Sequence, residues 1–291
     1  MKTTALNSSG SSAVQGAGLG LRRDLMDHLA LLSADQQPDF YEIAPENWLG
    51  FGGRHTHQLR RFSERVPLVC HGLSLSIGGP HPLNLEFIRQ VRQFLDQHQV
   101  AVYSEHLSYT ADAGYLYDLL PIPMTEGAVR YVAERVQQAQ DLLGRRLVLE
   151  NVSTYAMPSA EMSEADFICA VIQQADCEFL LDINNVYVNS VNHGSDARAL
   201  IAAMPSHRIR YLHLAGHHVE SDDLLIDTHG ADVSAAVWDL LAFSYACHGV
   251  KPTLLERDFH LPPVSQLLAE VQHIRDHQQR AIRQGVLAHV G

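Results

Sequence analysis

Lysine is nearly missing from this chain: only Lys2 and Lys251 occur among 291 residues. Lysine and arginine together number 21 against 33 aspartates and glutamates, a formal net charge of −12 with histidine neutral. Nucleic-acid binders draw much of their affinity from cations on phosphates, so this balance argues against a nucleic-acid partner, short of a local basic groove. Cysteine is scarce as well. Cys70, Cys169, Cys177 and Cys247 show neither C-x-x-C spacing nor the density of a disulfide framework, and read as small buried apolar residues in a reducing compartment. No apolar run approaches membrane-spanning length, and the first fifteen residues, MKTTALNSSGSSAVQ, lack the apolar stretch of a signal peptide. A cytoplasmic protein with no membrane partner and a disordered tip over 1–15 is expected.

What remains is one long α/β pattern with no linker, consistent with a single domain over 16–291. Short apolar segments at 18–22, 39–44, 67–72, 100–106, 146–151, 178–183, 209–216 and 252–258 read as strands. Amphipathic stretches at 23–32, 55–65, 83–98, 125–143, 163–175, 196–203, 233–247 and 263–281 read as helices, with Thr125 and Ser163 as caps and Pro262-Pro263 at the last entry. Strand then helix, eight times, predicts a parallel (β/α)₈ TIM barrel. A doubly wound open sheet is the rival.

Histidine is abundant, at 18 residues, and several lie where a strand should end. His71, His106, Glu150, Asp182, His213 and Glu256 close short apolar runs such as LVLE, FLLD and TLLE, and Asp227 with His229 follow the seventh strand. Burying so many ionisable groups without a common electrostatic partner is costly, and a cluster of metal ions is the economical partner. These groups converge only if the sheet closes, since a barrel gathers its chemistry at the C-terminal rim. Imidazoles and carboxylates without thiolate suit Fe, Mn or Zn, and so many donors exceed the needs of one ion. Glu150 and Asp182, in the middle of the series, are the natural bridges.

Each piece has a plainer reading. Scattered surface histidines are common, D-T-H-G at 227–230 is short, and S-E-H at 104–106 could be a surface turn with Glu105 outward and satisfied by an arginine. Glu42, Glu46 and Asn47 read as supporting or substrate contacts, with a helix cap as the alternative for the last two. Asn151 and Asn185 carry amide oxygens that could reach a metal, His193 has turn formation as its alternative, and Arg257 is either a partner to the site or a structural ion pair. Gly52-Gly53 and Gly78-Gly79 mark rim loops without a phosphate-binding pattern.

The strings YSEHLS (103–108), LLPIPMTE (119–126), LEN (149–151), LDINNVYV (181–188), VNHG (191–194), HLAGH (213–217), LIDTH (225–229), VW (237–238) and LERD (255–258) resemble domain-of-unknown-function family 692. Its characterised members are multinuclear non-haem iron-dependent oxidases, the methanobactin-biosynthesis oxidase among them. The resemblance runs from about Gly16 to Glu270. It implies a barrel similar to xylose isomerase and endonuclease IV, two or three Fe ions, O2 as cosubstrate, and modification of cysteine in a ribosomally made precursor peptide, often with a separate peptide-recruiting partner protein. It implies His71, His106 and Glu150 on one iron, Glu150, Asp182, His213 and Glu256 on the catalytic second, and Asn185, Asp227 and His229 on a third. Asn185 stands where the endonuclease relatives have histidine, which implies a looser third site. A trimetal phosphodiesterase and a metal-dependent sugar isomerase are the alternative activities.

Overall fold

The computed structural model describes residues 14–50, 52–112, 114–157 and 159–288. Most of the tip expected over 1–15 lies outside the described residues. The strands in chain order are β1 (Ala17–Gly20), β2 (Phe40–Ile43), β3 (Leu68–Gly72), β4 (Tyr103–His106), β5 (Tyr109–Ala111), β6 (Tyr115–Leu120), β7 (Val148–Glu150), β8 (Glu178–Asp182), β9 (Ile209–Leu214), β10 (His218–Ser221), β11 (Leu224–Ile226) and β12 (Thr253–Leu255). Eight of them close a barrel in the order β1-β12-β9-β8-β7-β4-β3-β2, and every pairing within it is parallel. The closed TIM barrel replaces the open-sheet rival.

Alternation along the strands divides the chain's apolar and polar content radially. One set of strand residues faces the surrounding helices, Cys70, Tyr103, Leu149, Leu181, Leu212 and Leu255 among them, and belongs to the large core between sheet and helices. The other set faces the barrel axis. Phe40, Val69, Val102, Val148, Leu180, Tyr211 and Leu254 form a separate apolar cluster there, nearly sealed from solvent. Gly18 sits at the same level, where a Cβ would lie 2.5 Å from the Phe40 ring. The missing side chain on β1 is what lets one phenylalanine fill the axis.

Two residues further along the strands the axial side chains become Glu42, His71, Ser104, Glu150, Asp182 and His213, with Glu256 just past β12. Register carries the convergence: His106 pairs with Glu150 across β4 and β7, and Asp182 with His213 across β8 and β9. The second match depends on an irregularity, for the β8–β9 register shifts between Phe179 and Leu180. The extra residue is on β9; without it Asp182 would oppose the helix-facing Leu212, so the bulge brings His213 level with the carboxylate.

Two features depart from the predicted pattern. A helix over Ile183–His193 opens directly at the end of β8, ahead of the expected one, which occupies Ala197–Ala203. Two antiparallel hairpins, β5–β6 and β10–β11, stand outside the barrel after β4 and β9. The caps are as expected: Thr125 and Ser163 accept from the backbone N–H of Ala128 and Asp166. No helix among the described residues is long and apolar enough to cross a membrane.

Candidate metal centre

Glu150 is the hub. Its Oε2 lies 3.1 Å from His71 Nε2 and 3.2 Å from His106 Nε2, while its Oε1 lies 3.1 Å from His213 Nδ1. The two histidines on the first side face each other with their Nε2 atoms 3.0 Å apart. On the second side His213 Nδ1 is 3.1 Å from Glu256 Oε2 and 3.9 Å from Asp182 Oδ2. Two donor groups, His71–His106–Glu150 and Glu150–Asp182–His213–Glu256, therefore share one carboxylate, and each is compact enough to surround a metal ion.

A third group lies toward the rim. His229 Nε2 is 2.7 Å from Asp227 Oδ1, and its Nδ1 is 3.4 Å from Glu256 Oε2 and 3.5 Å from Asp258 Oδ2. Asp258, two residues past Glu256 in LERD, is the acid that sequence reasoning missed; the period-two spacing was its only signal. Asp227 is held by Ser153 Oγ at 2.9 Å and Asn184 Nδ2 at 2.8 Å, and Asn184 in turn meets His217 Nδ1 at 2.8 Å.

Asp182 does two jobs at once. It caps the helix over Ile183–His193, its Oδ1 accepting from Asn185 N at 2.6 Å, while its Oδ2 is buried without a hydrogen-bond partner. Asn151 brackets the same backbone unit, with Nδ2 donating to Asp182 O and Oδ1 accepting from Asp182 N, so both its amide atoms are spent. Asn185 is different: Nδ2 donates to Asn151 O at 3.0 Å, and Oδ1 is buried with no partner.

His106 Nδ1 is likewise buried without a partner, and His213 Nδ1 and His229 Nε2, though carboxylate oxygens lie 3.1 and 2.7 Å away, meet none of them in hydrogen-bond geometry. Orphaned donors and acceptors at this depth cost on the order of 1–3 kcal/mol each unless something else satisfies them. A nitrogen-and-oxygen donor set that leaves Asp182 Oδ2, His213 Nδ1 and His229 Nε2 unsatisfied fits divalent metal ions.

The protonation pattern points the same way. Burial opposes charge on His71, but Glu150 and Glu42 raise it to about 9. Burial opposes charge on His229 too, yet Asp227 and Glu256 lift it to about 10, and Glu42 and Glu256 hold His213 well above its ordinary range. Glu256 is held far below the usual carboxylate range despite its burial, by His229 and His213. Asp182, pushed up by burial and by Glu150, reaches about 8. His106 goes down to about 4 through burial and the neighbouring His71. The acids demand compensating positive charge, which protons supply where cations would otherwise stand.

Several residues singled out in the sequence play supporting or structural parts. Glu105 is not outward on a turn: it is buried beneath the sheet, accepts from Tyr103 OH at 2.6 Å and Leu75 N at 3.3 Å, and is pushed up to about 8 chiefly by burial. Glu46 accepts from Leu73 N at 2.8 Å, in a 3₁₀ turn with Asn47. Arg257 is 4% exposed and bound to Asp232 and Glu270, a structural pair. His193 Nε2 sits 2.8 Å from both Thr154 Oγ1 and Thr154 O, near the helix end. Cys70 and Cys177 are buried among helices, Cys169 is half-buried and Cys247 exposed, none in the donor groups.

Among solved structures, a xylose isomerase domain protein from Planctomyces limnophilus superposes with a TM-score of 0.58 at 12% identity, covering 93% of this chain and 99% of that one. Endonuclease IV from Thermus thermophilus superposes with a TM-score of 0.59 at 13% identity, covering 91% and 99%. At such identities these likenesses show the fold, a xylose isomerase-like barrel. Sequence relatives are much nearer: a UPF0276 protein of Acinetobacter baylyi is 65% identical over 268 residues, 92% of this chain and 93% of that protein. Residues 16–279 match the family described as RiPP precursor modification enzyme MbnB/TglH/ChrH, where RiPP denotes a ribosomally synthesised and post-translationally modified peptide. With that match over nearly the whole chain, the protein belongs to the MbnB/TglH/ChrH family of RiPP precursor modification enzymes.

Proposed function

We propose that this protein is a multinuclear non-haem iron oxidase that uses dioxygen to modify cysteine residues of a ribosomally made precursor peptide, presented by a separate partner protein. The observation that carries the reading is the disposition of Glu150, whose two oxygens each face a different donor group. A carboxylate so placed is suited to bridging two ions, and family membership supplies the peptide as substrate class.

In this reading His71, His106 and Glu150 hold one iron, and Glu150, Asp182, His213 and Glu256 hold the second. Asn185, Asp227 and His229 hold a third, with Asp258 facing the other nitrogen of His229. Bound iron would supply Lewis acidity toward a substrate thiol and electrons to dioxygen. The chain's own contribution is positional: Ser153 and Asn184 aim Asp227, Asn151 fixes the backbone that carries Asp182, and the apolar layer beneath the site closes its lower end. The carboxylates hold the cations through charge, and the wholly nitrogen-and-oxygen donor set leaves the only thiolate at the centre to the substrate.

The test uses protein purified anaerobically and loaded with ferrous iron, mixed with a Cys-containing RiPP precursor peptide and then exposed to oxygen. A peptide mass change that requires oxygen and the peptide's cysteine is expected. An unchanged mass with the irons present would overturn the reading, as would robust cleavage of abasic duplex DNA by the zinc- or manganese-loaded protein.

A further inference from the structure

Below the donor atoms a continuous hydrogen-bond chain joins the two groups that share Glu150. His71 Nδ1 lies 2.8 Å from Ser104 Oγ, which lies 2.7 Å from Tyr211 OH. Tyr211 OH lies 2.8 Å from Glu42 Oε2, and the same oxygen lies 3.1 Å from His213 Nε2. All five residues are at most 5% exposed, so water does not compete for these links.

The proton count allows one arrangement. A carboxylate only accepts, so Tyr211 and His213 Nε2 both donate to Glu42. Tyr211 has a single proton and spends it there, so at its contact with Ser104 it accepts. Ser104 also has one proton, spent on Tyr211, so toward His71 it accepts and His71 Nδ1 donates. Turning the serine proton to its other neighbour, Cys70 O at 3.3 Å, would leave two lone pairs facing each other across 2.7 Å.

We propose that Glu42, Tyr211 and Ser104 are positioning residues, and that the chain they form fixes the ring protons of His71 and His213 so that His71 presents Nε2, and His213 presents Nδ1, as bare donors on either side of Glu150. The proposal rests on the metal-binding reading above. One carboxylate thereby sets the tautomer of a ligand in each group, with every link donating toward Glu42. A hydrogen bond to the far nitrogen of a ligating imidazole fixes the ring and raises its basicity, and a polarised chain strengthens each link.

Zinc-loaded protein labelled with ¹⁵N-histidine gives the direct reading. His71 is expected to carry its proton on Nδ1 and His213 on Nε2; a proton on either opposite nitrogen would overturn the proposal. Zinc release to excess chelator gives the second. Glu42→Gln and Ser104→Ala should release metal about 10–100-fold faster than wild type, the range for loss of such a partner. Tyr211→Phe keeps the ring that packs in the axial layer and should show a smaller acceleration, which keeps the test open if Glu42→Gln does not fold. Tyr103→Phe removes an equally buried hydroxyl bound to Glu105 outside the chain, and should release metal at the wild-type rate. Wild-type rates in Glu42→Gln, Ser104→Ala and Tyr211→Phe would overturn the proposal while leaving the metal reading intact. A wild-type protein that takes up no zinc, manganese or iron would overturn the metal reading itself and the proposal with it.

Discussion

Two layers of the barrel interior, built from the same strands two residues apart, have opposite chemistry. Val69, Val148, Leu180 and Tyr211 lie in the lower one, and His71, Glu150, Asp182 and His213 stand above them. The lower layer gains stability from burial, roughly 1.5–3 kcal/mol for each large side chain taken from water. The upper layer is a collection of ions and orphaned polar atoms that stabilises nothing until its charges are matched. The barrel is held by one ring of residues and used by the next.

Breaking the lower layer should therefore have the largest effect. Leu180→Ala is expected to cost about 2–5 kcal/mol, as truncation in a packed core does, and Leu180→Asp to abolish folding, both read by thermal melts and circular dichroism. His71→Ala or His106→Ala should leave the fold in place and deplete metal from one group, read by metal analysis. Full metal occupancy in both variants would mean that the ligands are wrongly assigned.

Within the upper layer Glu150→Gln should lose more metal and more activity than Asn185→Ala. A bridging carboxylate neutralises two cations, whereas an amide oxygen is a neutral contact. Equal losses would contradict the bridge.

Removing metal should make the upper layer sensitive to pH. His71 at about 9, His229 at about 10 and Asp182 at about 8 all sit above their unfolded values. Groups raised in this way favour the folded state at low pH, and for the histidines that contribution is complete below about 6.5 and lost as pH climbs through 9–10. The melting temperature of chelated protein should fall from pH 6.5 to 10, and that of metal-loaded protein should fall less. Parallel curves would show that metal and protons do not occupy the same place. The smallest effects belong to Cys70, Cys169, Cys177 and Cys247, whose replacement one at a time by Ala or Ser should cost about 1–3 kcal/mol of stability at most. Turnover should persist. A folded, fully metallated variant without turnover would put a protein thiol into the chemistry.

The layering was legible in the sequence because alternation is a local signal: LVLE and FLLD end in the residues that reach the axis. What lay beyond was set by distant contacts. The helix over Ile183–His193 begins with polar and β-branched residues of modest helix propensity, INNVYVN, and is held by Asp182 at its cap, Asn184 against Asp227, and Asn189 against Thr154 and Val152. The hairpin strand Tyr115–Leu120, YLYDLL, has the composition of a core strand yet pairs outside the barrel. The outward alternative for Glu105 fails because the segment after β3 covers it and brings Leu75 N to its carboxylate from 30 residues away. Ser104 gave no sign of its place between His71 and Tyr211, since a serine in a strand carries no signal until the barrel closes.

The Phe40 ring lodged over Gly18 makes the site a dead-end well. Whatever reaches Glu150 must come from the rim and return the same way. The plug on β2 thus acts at a distance from the chemistry, leaving Glu150 a single way in and out.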